Sequence, residues 1–447
     1  MPERARQALA GGTGAPVAFA ADDVAWLVNL MEQDTVSPLE GGDHEGLARA
    51  QRVFIEGATG RGFALRELSA PPASFLDQSG VPAQVLDAVG EHGEAFLQGQ
   101  PSAVVALGAP QPPERRLVFN FHMDTVGPHL PPRIEDGVLH GRGAVDDKGP
   151  GVAALLGAAA AFAEDPSLAE DIEVLVASVP GEEGGAMGVY GTRWLVKAGW
   201  VGRLMVFAEP TGARVFDACS AAMTPRVTVR GLDSTDDYPY DGHNATLALS
   251  MVACRLAEVL GPMAERLGAK VCLSGLHTGT AHNRVYGSGE LRLNIAYYDL
   301  AAADELAAAV ECVLPQVAAE VARHFGANPV ARRLVQDWSQ VVHLDWLKRG
   351  LPPLDNRDEA MERLMAGAGL PRHDAIGDGS AFTCDAIWAA ASGRYVVACG
   401  PGRLDLNGAH TAGEHVAMRD LEAYAGRCRD LVWGFGAWAR SAGNLPA

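Results

Sequence analysis

The sequence predicts an α/β fold in which a mostly parallel sheet carries helices on both faces, with a smaller α+β domain inserted into it. Three observations predict it. Short, wholly apolar runs alternate with helical patterns through the first half of the chain, the pattern of strands buried on both faces and joined by crossover helices. From about Phe216 the strands alternate apolar with polar residues, between two long helical stretches. At 447 residues the chain exceeds one ordinary core, so two domains are expected.

In chain order, the runs from Leu117 to Phe121, Ile172 to Val179 and Leu204 to Ala208 read as buried strands. Helical patterns lie between them, from about Gly151 to Ala163 and from Thr192 to Ala198. Arg226 to Arg230 alternates like a strand with one wet face, and Leu291 to Tyr298 does so more loosely. The two long helical stretches run from about Ala245 to Leu267 and from Ala303 to Phe325. The inserted domain is expected over 216–340, between segments 1–215 and 341–447 of the first domain. That domain resumes by about Leu344, with a strand from Tyr395 to Ala398 and a closing helix from about Leu421 to Ala437.

Composition excludes several classes of partner. The 55 acidic residues outnumber 36 basic ones for a net charge of −19, which argues against nucleic acid and anionic membrane. Seven cysteines without a CxxC spacing indicate neither a disulfide framework nor a thiolate zinc site, and fit a reducing cytoplasm. Arg4 and Arg6 precede an apolar-leaning stretch, but glycines, Thr13 and Pro16 interrupt any signal-peptide core. No apolar run is expected to approach the roughly 20 residues that a membrane helix needs.

Chemistry concentrates in five places. Phe119-Asn120-Phe121-His122-Met123-Asp124 is an apolar run ending in His-x-Asp, and the glycine-rich turn Gly141 to Gly149 delivers the carboxylates of Asp146 and Asp147. Gly181-Glu182-Glu183-Gly184-Gly185, Phe207-Ala208-Glu209-Pro210-Thr211 and Gly408-Ala409-His410-Thr411 follow. Imidazoles and carboxylates at the carboxyl ends of parallel strands are suited to holding divalent metal ions. Two such ions close together need a bridging anion to screen their repulsion.

Taken in this order, the five elements resemble the co-catalytic zinc amidohydrolases that include aminoacylase, carboxypeptidase G, acetylornithine deacetylase and succinyl-diaminopimelate desuccinylase. The resemblance spans roughly Leu27 to Val416. It implies two divalent metal ions, zinc first and cobalt or manganese as alternatives, with Asp146 as the bridge. His122 and Glu209 would complete one site, and Glu183 and His410 the other. Glu182 would be the general base, and the Asp124 carboxylate would accept the second N–H of the His122 imidazole. The resemblance also implies a cis peptide after Asp146, with Asp147 a supporting or salt-bridging group, and a homodimer formed through the inserted domain, which serves as a lid.

Substrate recognition is less regular. Backbone N–H groups of Gly400 and Gly402 can cradle a substrate carboxylate, and Ser380 to Asp385 stands where relatives carry a glycine-Thr-Asp motif, here with Phe382 and Cys384 intruding. In the lid, Thr235 stands where relatives place an oxyanion-stabilising histidine, and Ala296 where they place a carboxylate-reading arginine. Asn283 matches a lid asparagine that faces the site, and Arg284 or Arg292 can substitute for the missing arginine. Asp233, Asp236, Asp237 and Asp241 make the segment acidic, which favours a neutral or cationic group beside it. The expected activity is hydrolysis of an amide in a small substrate, an N-acyl amino acid or dipeptide. The alternative is a different metal-dependent conversion, such as amide formation, by a remodelled lid.

Overall fold

The computed structural model describes residues 15–442, so the segment with Arg4, Arg6 and Thr13 lies outside the described residues. The chain forms two compact units. One takes in the chain up to Gln78, Gln84–Cys219 and the chain from Leu354; the other comprises Ser79–Ala83 and Ser220–Pro353.

The first unit begins with helices α1 (Ala21–Glu32) and α2 (Gly46–Thr59). Strands β1 (Ala64–Ser69), β2 (Ser102–Leu107) and β3 (Arg116–His122) come next, then α3 (Lys148–Glu164), β4 (Glu173–Val179), α4 (Thr192–Lys197) and β5 (Leu204–Pro210). The second unit contributes β6 (Ala221–Arg230), α5 (Ala245–Leu267), β7 (Lys270–His277), β8 (Ser288–Tyr297), α6 (Leu300–Phe325) and β9 (Val342–Lys348). Back in the first unit, β10 (Tyr395–Gly400) and α7 (Met418–Ala442) close the chain.

The first unit's sheet has the order β1-β2-β4-β3-β5-β10. Strands β4, β3, β5 and β10 run parallel, with β10 at one edge, and β1 and β2 add antiparallel pairings at the other. β4 and β5 are buried at every position, as two-sided cover by helices requires. Phe119, Phe121, Val176 and Val206 are each at most 1% exposed, and full burial of such a side chain contributes about 1.5–3 kcal/mol.

Helix α3 is built almost wholly of small residues because it is enclosed between β3 and α7. A Cβ on Gly151 would fall 2.2 Å from the Phe121 ring, and one on Gly157 would fall 2.3 Å from the Ala425 carbonyl oxygen. The glycines therefore set how closely α3 packs against the sheet and against α7. Register then aligns the functional ends: His122 stands opposite Val179, just before the Glu182–Glu183 turn, and Asn120 stands opposite Phe207, just before Glu209.

In the second unit, β7-β8-β6-β9 form an antiparallel sheet that packs against α5 and α6. The Asn244 side chain caps α5 by accepting the Leu247 N–H at 2.9 Å, and Asp299 caps α6 through the Ala302 N–H at 3.0 Å. Two expectations are corrected here. β9 pairs with β6, because Leu344 lies opposite Val227, so the return to the first unit falls at Leu354 and not near Leu344. Helix α5, with 23 residues, is also long and apolar enough to cross a membrane. Its apolar residues follow the helical period, with Ala245, Ala248, Leu249, Val252, Leu256 and Leu260 forming one buried face.

Candidate metal centre

Parallel strands deliver the site. His122 is the last residue of β3, Glu182 and Glu183 lie in the turn after β4, and Glu209 lies near the end of β5. Gly181, Gly184 and Gly185 all have positive φ, the conformation that lets the chain reverse tightly around the two glutamates. His410 reaches the site from a loop with its own φ at 63°, uncommon for a residue with a side chain.

Asp146 lies at the centre. Its Oδ1 is 2.8 Å from His122 Nε2, and its Oδ2 is 3.1 Å from His410 Nε2. One carboxylate therefore spans two imidazoles. Around it, His122, Asp146 and Glu209 form one group whose ligand atoms lie within 4.8 Å of one another, and Asp146, Glu183 and His410 form another. His410 Nε2 is also 2.9 Å from Glu183 Oε1. Glu182 approaches as well, in a third group with His122 and Glu183. The Asp146–Asp147 peptide is cis, as the resemblance implies.

The role expected of Asp124 is divided in the structure. Its backbone carbonyl, not its carboxylate, accepts the His122 Nδ1–H at 2.8 Å; the nearest carboxylate oxygen is 3.9 Å from that nitrogen. The carboxylate instead accepts the backbone N–H groups of Glu182 at 3.3 Å and Glu183 at 3.0 Å. Because Nδ1 is committed, Nε2 is the nitrogen facing the centre. Asp147 is buried and makes no ion pair among the described residues, which leaves the supporting role of the two expected of it; its Oδ1 has no hydrogen-bond partner there.

The electrostatics suit divalent cations. Burial, then the Glu183 charge, pushes the Glu182 carboxyl well above its usual range; burial, then the Asp146 and Asp147 charges, does the same for Glu209. At Asp146 burial acts in the same direction but is outweighed by hydrogen bonds from His122 and His410, so its carboxyl is held low. Hydrogen bonds to Asp146 and Glu183 raise His410 to about 10. Burying several acidic groups together is costly without compensating charge. The orphaned Asp147 oxygen and the imidazole–carboxylate donor set fit a pair of hard or borderline divalent ions.

Of the supporting groups, Glu414 escaped the sequence reading, whereas Asp385 and Cys384 lie in the Ser380 to Asp385 segment already singled out. Glu414, 1% exposed, accepts from Arg142 Nη1 at 2.5 Å and from the backbone N–H groups of Gly143 at 2.9 Å, Val145 at 3.3 Å and Asp146 at 3.4 Å. It thereby ties the Asp146 turn to the loop of His410. Buried Asp385 accepts from Thr192 Oγ1 at 2.5 Å, and Thr192 accepts from Asn120 Nδ2 at 3.2 Å. Beside it, Cys384 Sγ lies 3.5 Å from Cys219 Sγ. The pairing of Arg142 with Glu414 spans 272 positions, and no local pattern signals it.

The substrate-binding candidates fall into separate places. The N–H of Gly400 is taken by Thr211 Oγ1 at 3.2 Å, so Gly400 does not offer it to a ligand; Gly402, at φ 69°, lies in the following turn. In the second unit, Thr235 pairs with Arg284 in a two-stranded ladder, and Asn283 adjoins it. Arg284 is bound to Asp233, and Arg292 Nη2 lies 2.6 Å from Glu290 Oε1, so neither arginine is unpaired. Asp233 also accepts the Gly287 N–H at 2.8 Å and so builds its own loop.

Comparison with known proteins agrees with this arrangement. Residues 118–433 match the model of peptidase family M20/M25/M40. The succinyl-diaminopimelate desuccinylase of Halorhodospira halophila is 29% identical over 388 residues, covering 80% of this chain and 93% of that protein. The enzyme of the same name from Xanthomonas campestris pv. campestris is 28% identical over 346 residues, covering 71% and 82%. In fold, the chain is similar to an M20 family metallo-carboxypeptidase of Sulfolobus solfataricus, with a TM-score of 0.64, 10% identity and coverage of 94% and 100%. It is likewise similar to the aminopeptidase PepT of Bacillus cereus, with a TM-score of 0.62, 16% identity and coverage of 92% and 98%. With the family model spanning well over half of the sequence, the chain belongs to peptidase family M20/M25/M40, as a hydrolase of amide or peptide bonds.

Proposed function

We propose that this protein is a dinuclear metal-dependent hydrolase that cleaves an amide in a small substrate, an N-acyl amino acid or dipeptide. The observation that carries the reading is the Asp146 carboxylate, with one oxygen toward His122 and the other toward His410. His122, Asp146 and Glu209 would hold one ion, and Asp146, Glu183 and His410 the other. Bound zinc, or cobalt or manganese in its place, supplies Lewis acidity at the scissile carbonyl and lowers the pKa of a water towards about 7. The likeness to desuccinylases favours an N-acyl amino acid among the candidate substrates.

The chain's own residues then do three things. Glu182 takes the proton from the attacking water and delivers it to the departing amine. Asp124 holds the Glu182–Glu183 turn by its two amides, which fixes where both carboxylates point. Glu414 does the same for the turn bearing Asp146.

Assembly as a homodimer through the second unit fits this reading. β7 is an edge strand with Leu273 40% and Leu276 37% exposed, a surface that another chain can cover. All seven cysteines are unpaired, which fits a cytoplasmic setting.

The test is to load the purified protein with zinc, cobalt or manganese and follow amine release from a panel of N-acyl amino acids and dipeptides. Turnover in the panel, with two ions per chain by metal analysis and anomalous scattering, is expected. A reproducible single ion, or ligands drawn from elsewhere, would overturn the dinuclear arrangement; no turnover with two ions in place would overturn the reaction.

A further inference from the structure

Two nucleophilic side chains that the proposed reaction does not use stand in contact. Cys219 Sγ lies 3.5 Å from Cys384 Sγ across 165 positions of the chain, and both residues are free and 1% exposed. We infer that this pair is a redox modification site: a small peroxide converts it to a disulfide, which slows hydrolysis, and a thiol reductant reverses the change. The disulfide itself is independent of the amide-hydrolase reading, and only the loss of turnover rests on that reading.

Each sulfur occupies a place where a crosslink has consequences. Cys219 ends the short strand Ala218–Cys219, held by Leu354 opposite Cys219 and by Asp355 opposite Ala218. The chain passes to the second unit after Cys219 and returns at Leu354, so this ladder fixes the first unit's side of the crossing. Cys384 immediately precedes the single helical turn Asp385–Trp388, and that turn backs the loop of the acidic pair. Trp388 Nε1–H donates to the Met187 carbonyl at 2.5 Å, and the Met187 N–H donates to the Glu182 carbonyl at 3.3 Å. A Cβ on Gly188 would fall 2.4 Å from Asp385 Cβ, so no slack lies between the turn and the loop. Arg193 covers the far side of the turn, with its guanidinium carbon 4.2 Å from the centre of the Trp388 ring.

Enclosure selects the oxidant. Sulfurs this buried are closed to large reagents, which leaves a molecule little bigger than water, such as hydrogen peroxide. Contact with Cys219, then burial, pushes the Cys384 thiol up, so Cys384 rests protonated and the pair reacts only as peroxide accumulates. One sulfur attacks a peroxide oxygen; the O–O bond breaks, and the departing hydroxide leaves as water with that thiol's proton. The sulfenic acid so formed is attacked by the other sulfur; its S–O bond breaks, and a second water leaves with the second thiol proton. The two thiols lose two electrons and the peroxide gains them. A thiol reductant returns two electrons and two protons and is itself oxidised to a disulfide. Bond formation draws together by about 1.5 Å sulfurs that now stand 3.5 Å apart. Because the ladder with Leu354 holds Cys219, the movement falls on Cys384 and its turn, and from there on the loop of Glu182 and Glu183.

The test uses metal-loaded protein in which the exposed Cys254, Cys272 and Cys312 are replaced by serine, so that thiol oxidation reports on buried sulfurs. Hydrogen peroxide is added in steps. Peptide mapping by mass spectrometry reads the Cys219–Cys384 crosslink, amine release reads turnover, and hydrogen exchange over Gly181–Gly188 reads the loop without any substrate. The expected result is a crosslink with loss of two hydrogen atoms, altered exchange in the loop, and kcat lower by about 10- to 100-fold, as a displacement on the order of 1 Å produces. Reduction with glutathione, followed by metal reloading, should restore all three. Cys219→Ser should keep basal turnover and escape the inactivation, and Cys219→Ala serves the same purpose if the serine variant fails to fold. Crosslinking and altered exchange in a protein that turns over no amide would keep the modification site and overturn the hydrolase reading. No crosslink at peroxide concentrations that oxidise the chain's methionines, a crosslink that leaves turnover and loop exchange unchanged, or equal inactivation of Cys219→Ser would overturn the inference.

Discussion

The carboxylate of Asp124 accepts the backbone N–H of Glu183 at 3.0 Å, so the residue two positions beyond His122 controls the turn that presents the acidic pair. Leaving a buried amide without its acceptor costs about 1–3 kcal/mol. A displacement of about 1 Å at a reacting group can cost on the order of 10²-fold in rate. Asp124→Ala should therefore lower kcat by about 10²-fold or more with a smaller loss of metal, because the Asp124 backbone carbonyl still orients His122. Asp124→Asn, which keeps one acceptor oxygen, should fall between. Steady-state kinetics alongside metal analysis would check it; loss of metal in step with activity would place Asp124 on the imidazole instead.

Glu182 and Glu183 are adjacent yet should respond differently to the same change. Glu183 Oε1 lies 2.9 Å from His410 Nε2 in the group with Asp146. Glu183→Gln should thus reduce metal content towards one ion. Glu182→Gln preserves size and cannot accept a proton, so turnover should be abolished with two ions retained. Metal analysis and amine-release assays on the two variants separate the roles, and wild-type turnover by Glu182→Gln would refute the base assignment.

Much of this centre was legible because the fold places it by strand register. His122, Glu183 and Glu209 each end or follow an apolar run, and parallel strands bring such ends to one edge of a sheet. What was not legible depends on contacts between distant segments. Nothing near Glu414 announces Arg142, and nothing near Asp385 announces Thr192 or Asn120. Backbone detail was hidden for a related reason. Period-two reasoning placed Asp124 beside His122 correctly, but the chain leaves the strand at His122, so the Asp124 carbonyl reaches the ring and its carboxylate turns to the next loop. The β9 boundary was missed because a short apolar run reads alike as the edge of either domain's sheet.

The ion pair of Arg142 and Glu414 is enclosed, with side chains 2% and 0% exposed. Removing one member of such a pair leaves an uncompensated charge, at about 3–5 kcal/mol. Glu414→Ala should lower stability to denaturant by about that amount and also reduce metal content, since three backbone amides of the Asp146 turn lose their acceptor. Arg142→Met should be less damaging to metal content, because those amide bonds remain. Equal metal loss in both variants would show that the ion pair itself, and not the amide contacts, positions the turn.

Asp385 makes the last prediction, on pH. Burial raises its carboxyl to about 6, partly offset by the hydrogen bond from Thr192. In an unfolded chain the same group titrates at about 3.9. The folded state therefore binds this proton more tightly, and between about pH 4 and 6 it carries more protons there than the unfolded state. Stability from this group is thus present below about pH 4, falls as pH rises through 6, and is fully lost above. Asp385→Asn keeps an oxygen to accept from Thr192 and has no proton to lose, so it should remove that dependence. In urea unfolding of chelator-treated protein, the variant and wild type should be nearly equal at pH 4. The variant should be the more stable by up to roughly 3 kcal/mol at pH 7. A difference between the two proteins that stays constant from pH 4 to 7 would show that Asp385 remains ionised in the fold, with its charge met by a group other than Thr192.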